Sequence, residues 1–172
     1  WAGSAMTSAE GLDAPRSLEL ADIDNSGSLD IIISANQNIY LALNDGRETI
    51  FTTSSLASFT GAGVVAKAVH LTDDALMDVV YATTSETSPG VILQNGTGFD
   101  SPLTLPAHST TPLFSPTDIA VLPATSNTRL TLVVSDSSIQ YLSLFELSSS
   151  LDGKFEDPIL IDTGSDAGGL VN

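Results

Sequence analysis

The sequence has no cysteine and few basic residues. Without cysteine it cannot form disulfides, thiolate zinc sites or cysteine nucleophiles. Five Lys and Arg stand against 21 Asp and Glu, which gives a net charge of −16. Binding to nucleic acid needs clustered Lys and Arg that neutralise phosphates, so this charge argues against a nucleic-acid partner. No apolar run approaches the roughly 18 residues that span a bilayer, so we expect no membrane insertion of this segment.

The residues that are present indicate a folded, nearly all-β chain. Hydrophobic residues make up 42% of the 172, enough for a sizeable core. They alternate or come in short runs rich in Val, Ile and Thr, separated by clusters of Gly, Pro, Asn, Asp and Ser. This pattern predicts strands over 17–21, 30–35, 39–43, 49–53, 66–71, 78–83, 90–93, 103–105, 118–122, 130–135, 139–145 and 158–162.

An internal repeat organises these strands. The stretch "LELADIDNSGSLDIIISA" is echoed by "AVHLTDDALMDVVYA" and more faintly by "IAVLPATSNTRLTLVVS", which places Leu20, Leu71 and Leu122 at intervals of 51 residues. A second marker agrees, because Gly46 and Gly96 lie 50 residues apart in matching turns. A period near 50 with about four strands per unit is typical of β-propeller blades, which bury their faces against neighbouring blades.

The repeats resemble those of the FG-GAP/VCBS family, which includes the integrin α-subunit propellers and many extracellular proteins. In the first unit, "LADIDNSGSLDIII" is similar to a motif of the family in which alternating acids and a glycine are flanked by hydrophobic residues. The segment "LALNDG" is similar to the strand and turn that follow this motif. "NGTGFDSP" and "DGKFEDPILI" resemble the segment that leads into its outer strand. The literal Phe-Gly and Gly-Ala-Pro motifs are absent, so the VCBS-like branch fits better. The resemblance implies an extracellular or cell-surface propeller of about seven blades.

The repeat also predicts how the chain is divided. Three blades cannot close a ring, since propellers have roughly four to eight. We therefore expect partners in the form of further blades, from the parent chain or from another subunit. The predicted units are the end of a preceding blade or a linker (1–14), a blade with a calcium loop (15–60), a second blade (61–113), a third blade (114–163) and the start of another blade (164–172).

The loop "DIDNSGSLD", residues 22 to 30, is the candidate metal site. Ca²⁺ takes six to eight oxygen ligands, and alternate oxygen donors with a glycine at the bend can wrap it. We expect side-chain ligands from Asp22, Asp24 and Ser26, the backbone carbonyl of Ser28, and Asp30 closing the site. Gly27 occupies the position that needs a positive φ. An EF-hand is excluded, because the place of its bidentate Glu is Ile33. The alternative is a loop folded without metal by Asx-type hydrogen bonds.

The corresponding loops of the other units are degenerate. "LTDDALMD" keeps Asp73, Asp74 and Asp78 but lacks the glycine and the alternating donors. We interpret its acids as solvated turn residues. "PATSNTRLT" has no carboxylate and places Arg129 near the equivalent position. The sequence therefore predicts a single Ca²⁺, in the first unit.

No constellation of catalytic residues is evident. His70 and His108 are the only histidines, and neither lies beside a nucleophile motif. Asp73 and Asp74 are adjacent, and adjacent residues on a strand point to opposite faces, so they make a poor acid–base pair. Asn95-Gly96-Thr97 is an N-glycosylation sequon on a predicted turn, which favours a secreted glycoprotein.

These observations together predict a non-enzymatic, calcium-binding extracellular propeller that acts in adhesion, assembly or recognition of a protein or glycan ligand. Two alternatives remain at this point. The first is an accessory propeller of a secreted enzyme, a hydrolase or a polysaccharide lyase, because similar repeats occur beside such enzymes. The second is a lectin-like propeller, which ranks lower because aromatic residues, common in sugar pockets, are only 6% of the chain.

Overall fold

The computed structural model describes residues 12, 14–46, 51–61, 63–72, 74–84, 88–105, 115–124, 130–137, 141–147 and 155–163. These residues contain strands and no helix. The strands are β1 (Ser17–Ala21), β2 (Asp30–Ser34), β3 (Asn38–Asn44), β4 (Phe51–Ser58), β5 (Val65–Val69), β6 (Asp78–Ala82), β7 (Gly90–Ile92), β8 (Leu103–Thr104), β9 (Pro116–Leu122), β10 (Thr131–Asp136), β11 (Tyr141–Glu146) and β12 (Ile159–Asp162). Among the described residues, no helix is long and apolar enough to cross a bilayer.

The strands form three four-stranded antiparallel sheets, each built from consecutive strands of the chain. The first sheet has the order β1-β2-β3-β4, the second β5-β6-β7-β8 and the third β9-β10-β11-β12. Every pairing is antiparallel between sequence neighbours, so each sheet is a meander of one repeat. The prediction of an all-β chain is confirmed, and each of the twelve predicted strands overlaps an observed one.

The second sheet is packed between the other two. β5 contacts β1 and β2 of the first sheet and β9 of the third. Side chains of β6 alternate between the two interfaces, with Val79 and Tyr81 toward the first sheet and Val80 and Ala82 toward the third. Because β6 is buried on both faces, Val79 to Ala82 form a continuous apolar run. A strand of an antiparallel sheet with one solvated face would instead alternate apolar and polar residues.

The outer faces of the first and third sheets retain exposed apolar side chains. Leu18 and Leu20 of β1 are 65% and 61% exposed, and Ile159 and Ile161 of β12 are also exposed. The described residues show three sheets in succession and no closed ring, so a larger propeller stays a prediction.

Candidate metal centre

The loop between β1 and β2 takes its shape from two residues with positive φ. Gly27 has φ of 85° and Asn25 has φ of 56°. Glycine has no Cβ to oppose this conformation, and asparagine tolerates it better than most residues do. The expected role of Gly27 is confirmed, and the loop joins two strands, unlike the loop of an EF-hand.

Hydrogen bonds to loop side chains fix the turn. The Gly27 amide donates to Asp22 Oδ2 at 2.9 Å, and the Ser26 amide donates to Asp24 Oδ1 at 3.0 Å. The Ser28 amide donates to Ser26 Oγ at 3.3 Å. The Asp24 bond is of the Asx type that the metal-free alternative predicts, and the Ser26 bond is its serine counterpart. The second carboxylate oxygen of Asp22, Oδ1, is buried and has no hydrogen-bond partner among the described residues.

Asp30, the first residue of β2, joins the loop to the rest of the sheet. Its side chain is fully buried. Oδ2 accepts a hydrogen bond from the Ile23 amide, and Oδ1 accepts one from the Asn44 amide at the end of β3, both at 2.8 Å. A carboxylate has about four lone-pair sites, so these two bonds leave capacity for a cation.

The three aspartates of the loop come together. Asp22, Asp24 and Asp30 each offer a carboxylate oxygen, and these oxygens lie within 4.8 Å of one another. Two oxygens bound to one Ca²⁺ at roughly 2.3–2.6 Å are at most about 5 Å apart, so this spacing suits a shared ion. The donor set is hard oxygen with three negative charges, which favours Ca²⁺, Mg²⁺ or Mn²⁺ over soft metals. The Ser26 hydroxyl and the Ser28 carbonyl as ligands stay predictions.

The second sheet repeats the hydrogen bonding of Asp30, but its described residues form no cluster of acids like that of the first loop. Asp78 Oδ2 accepts a hydrogen bond from the Leu71 amide at 3.0 Å, and Oδ1 accepts one from the Gln94 amide at 2.8 Å. The interpretation of Asp78 as a solvated turn residue is therefore wrong, since its side chain is fully buried. The sequence held a signal, because in both repeats an Asp directly precedes the apolar run of the second strand. Asp73 lies outside the described residues.

The pKa values of Asp74 and Asp78, the two described acids of this second loop, are shifted in opposite directions from the ordinary value of an Asp carboxyl group. Burial raises the pKa of Asp78, although the Gln94 and Leu71 amides oppose the shift by stabilising the ionised form. Asp74 is exposed, and the Thr72 hydroxyl, together with the Leu76 amide, lowers its pKa. We expect ¹³C NMR of the carboxyl carbons to give a higher midpoint for Asp78 than for Asp74. The reverse order would show that hydrogen bonding outweighs desolvation at Asp78.

The remaining candidate residues are placed only in part. His70 follows β5, is exposed, and has Nδ1 2.9 Å from the Leu76 carbonyl oxygen. Asn95 is exposed on the turn after β7, where its Nδ2 donates to Asp100 Oδ1 at 2.7 Å, so its glycosylation stays a prediction. His108 and Arg129 lie outside the described residues.

Comparison with models of known protein families, and with curated protein sequences, finds no match to this chain.

Proposed function

We propose that this protein is a non-enzymatic, calcium-binding propeller segment that works outside the cell and presents its loops to a protein or glycan ligand. The observation that carries the calcium assignment is the buried Oδ1 of Asp22. A buried polar atom without a hydrogen-bond partner costs free energy, and a bound cation would remove that cost. Asp24 and Asp30 supply the neighbouring oxygens.

The proposed role of the ion is structural. Three carboxylates in one turn repel one another, and a divalent cation would convert this repulsion into a cross-link. Asp30 would be the essential member, because it also accepts hydrogen bonds from the amides of Ile23 and Asn44. The ion would thus connect the loop to both β2 and β3 of the first sheet.

The propeller part of the proposal is supported by the three meander sheets and by the repeat near 50 residues. Membership of the FG-GAP/VCBS family is proposed on the motifs of the first unit. The exposed Leu18 and Leu20 on one outer face, and Ile159 and Ile161 on the other, suit packing against further blades. A role in recognition follows from the scaffold, since loops held by rigid sheets are where binding residues concentrate.

Thermal melts in calcium and in chelator test the metal site. A ligand at a hundredfold excess over its Kd stabilises the folded state by about 2.7 kcal/mol, which corresponds to a rise in Tm of about 5–10 °C for a chain of this size. Asp24→Asn should abolish most of this rise, because it removes a charge from the cluster. The amide oxygen can still accept the Ser26 hydrogen bond, so the metal-free fold should be preserved.

Asp74→Asn is the matched control, because Asp74 is an exposed acid that accepts an equivalent bond from the Leu76 amide two residues ahead. It should leave the calcium-dependent rise unchanged. Coincident melts of the natural protein in calcium and in chelator, with no heat of binding in calorimetry, would refute the calcium assignment.

A further inference from the structure

A cleft of about 220 Å³ opens at the edge where the three sheets converge. Arg16 and Gly63 lie just before β1 and β5, and Ser115 just before β9. Thr84 and Ser137 follow β6 and β10, which run antiparallel to those strands and end at the same edge. The cleft is therefore assembled from all three repeats, and it is separate from the aspartate cluster, which lies where β1 ends and β2 begins.

Arg16 brings a positive charge to the cleft, and among the described residues no ion pair joins its guanidinium to a carboxylate. The ion pair found among the described residues joins Lys67 Nζ to Glu19 Oε2 at 3.0 Å and does not involve Arg16. The Arg16 amide donates to the Ser34 carbonyl at 2.7 Å, which anchors its backbone to β2. Its guanidinium lies over Gly63, where a Cβ would be 3.0 Å from Nη1.

Hydroxyl groups line the other side of the cleft. Thr117 Oγ1 lies 2.7 Å from Ser135 Oγ, and Ser137 Oγ donates to the Ser115 carbonyl at 3.3 Å. The buried Asp136 holds this wall in place, because its Oδ2 accepts the Ser115 amide at 2.9 Å. Each hydroxyl offers one donor and two acceptor sites, so these bonds leave sites for a ligand.

We propose that this cleft binds an acidic sugar unit of a glycan, with Arg16 paired to the carboxylate and the Ser and Thr hydroxyls bonded to the ring hydroxyls. The planar guanidinium can hold a carboxylate through two parallel hydrogen bonds. Sugar hydroxyls both donate and accept, as do the side chains that line the cleft: Thr84, Ser115, Thr117 and Ser137. An Asp or Glu side chain of a peptide would also engage Arg16, but beyond its carboxylate it carries no hydroxyl that could both donate to and accept from the Ser and Thr side chains.

The size of the cleft agrees with a single sugar unit. A volume of about 220 Å³ lies below the roughly 300–1,000 Å³ of sites that hold drug-sized ligands, which suits a smaller ligand. The proposal names a ligand class for the recognition function proposed above and rests on that function, but it does not depend on calcium.

Binding of free D-glucuronate, followed by NMR titration of the full chain, tests the proposal. We expect D-glucuronate to bind at least tenfold more tightly than D-glucose, which lacks the carboxylate, and than acetate, which lacks the hydroxyls. Arg16→Gln should weaken glucuronate binding at least tenfold, and Arg16→Lys should weaken it less. Lys67→Gln is the control, because it removes one positive charge from β5 away from the cleft, and it should leave the affinity unchanged. Melting curves verify that each variant is folded.

Three outcomes would overturn the proposal. They are glucuronate binding no tighter than acetate, tighter binding of the dipeptide Gly-Asp than of glucuronate, and unchanged affinity in Arg16→Gln. Asp24→Asn separates this test from that of the metal site, because we expect it to abolish the calcium-dependent rise in Tm while it preserves glucuronate binding.

Discussion

Replacing Asp30 with alanine is expected to lower the free energy of unfolding by about 3 kcal/mol in chelator and by more in calcium. The variant leaves the amides of Ile23 and Asn44 without their acceptor. Hydrogen bonds to charged groups contribute roughly 1.5–3 kcal/mol each, and a buried donor left unpaired carries its full desolvation cost. In saturating calcium the variant also loses the binding contribution, about 2.7 kcal/mol at a hundredfold excess over Kd. Urea unfolding under both conditions measures the two losses.

Asp78→Ala is the matched comparison, because Asp78 accepts the same pair of amide hydrogen bonds in the second sheet but does not belong to the aspartate cluster. In chelator it should cost somewhat more than Asp30→Ala, because Asp30→Ala also relieves repulsion within the aspartate cluster, and it should keep the full stabilisation by calcium. A cost below about 1 kcal/mol for both variants in chelator would contradict the role given to the carboxylates. Equal loss of the calcium effect in both variants would contradict the proposed position of the metal site.

The second large effect is expected for Gly90→Ala in β7. A Cβ at this position would lie 2.3 Å from Cζ and Oη of Tyr81, and 2.6 Å from Cε1. Tyr81 is only 2% exposed, and its ring centroid lies 4.8 Å from that of Phe59, so the ring has little room to move. Overpacking of a core costs typically 1–3 kcal/mol and sometimes more, and the severity of this overlap places the expected loss at about 3 kcal/mol. Urea unfolding measures it directly.

A double-mutant cycle tests whether the overlap is the cause. Tyr81→Leu removes the ring atoms that the new methyl group would meet, although the single substitution is itself destabilising. In the Tyr81→Leu background, Gly90→Ala should cost less than about 1 kcal/mol, so the two substitutions should be strongly non-additive. Equal costs in both backgrounds would show that the backbone of β7, and not the Tyr81 ring, sets the requirement for glycine.

Local sequence determined the strands and the shape of the first loop. A strand is predicted from apolar and polar residues that alternate over a few positions, which is local information. For this reason β1 begins and ends at the predicted residues. The spacing of acids and glycine in residues 22–30 likewise acts within one turn, which is why Gly27 has its expected φ and Asp22, Asp24 and Asp30 come together. β4 is less well predicted, at 49–53 against Phe51–Ser58. Its polar Thr and Ser residues carry little pattern, and its extent is set by pairing with β3.

Tertiary structure decided the features that depend on contacts between distant residues. An aspartate at the start of a strand has the same local sequence whether it is solvated or buried. The Leu71 and Gln94 amides make Asp78 a buried acceptor, and Gln94 reaches it only because β7 pairs with β6. The cleft at Arg16 depends on tertiary structure even more than Asp78 does, because its walls come from three repeats about 50 residues apart. The sequence pattern of one repeat does not specify which residues of a different repeat will face that repeat. The packing of the sheets determines which residues come together.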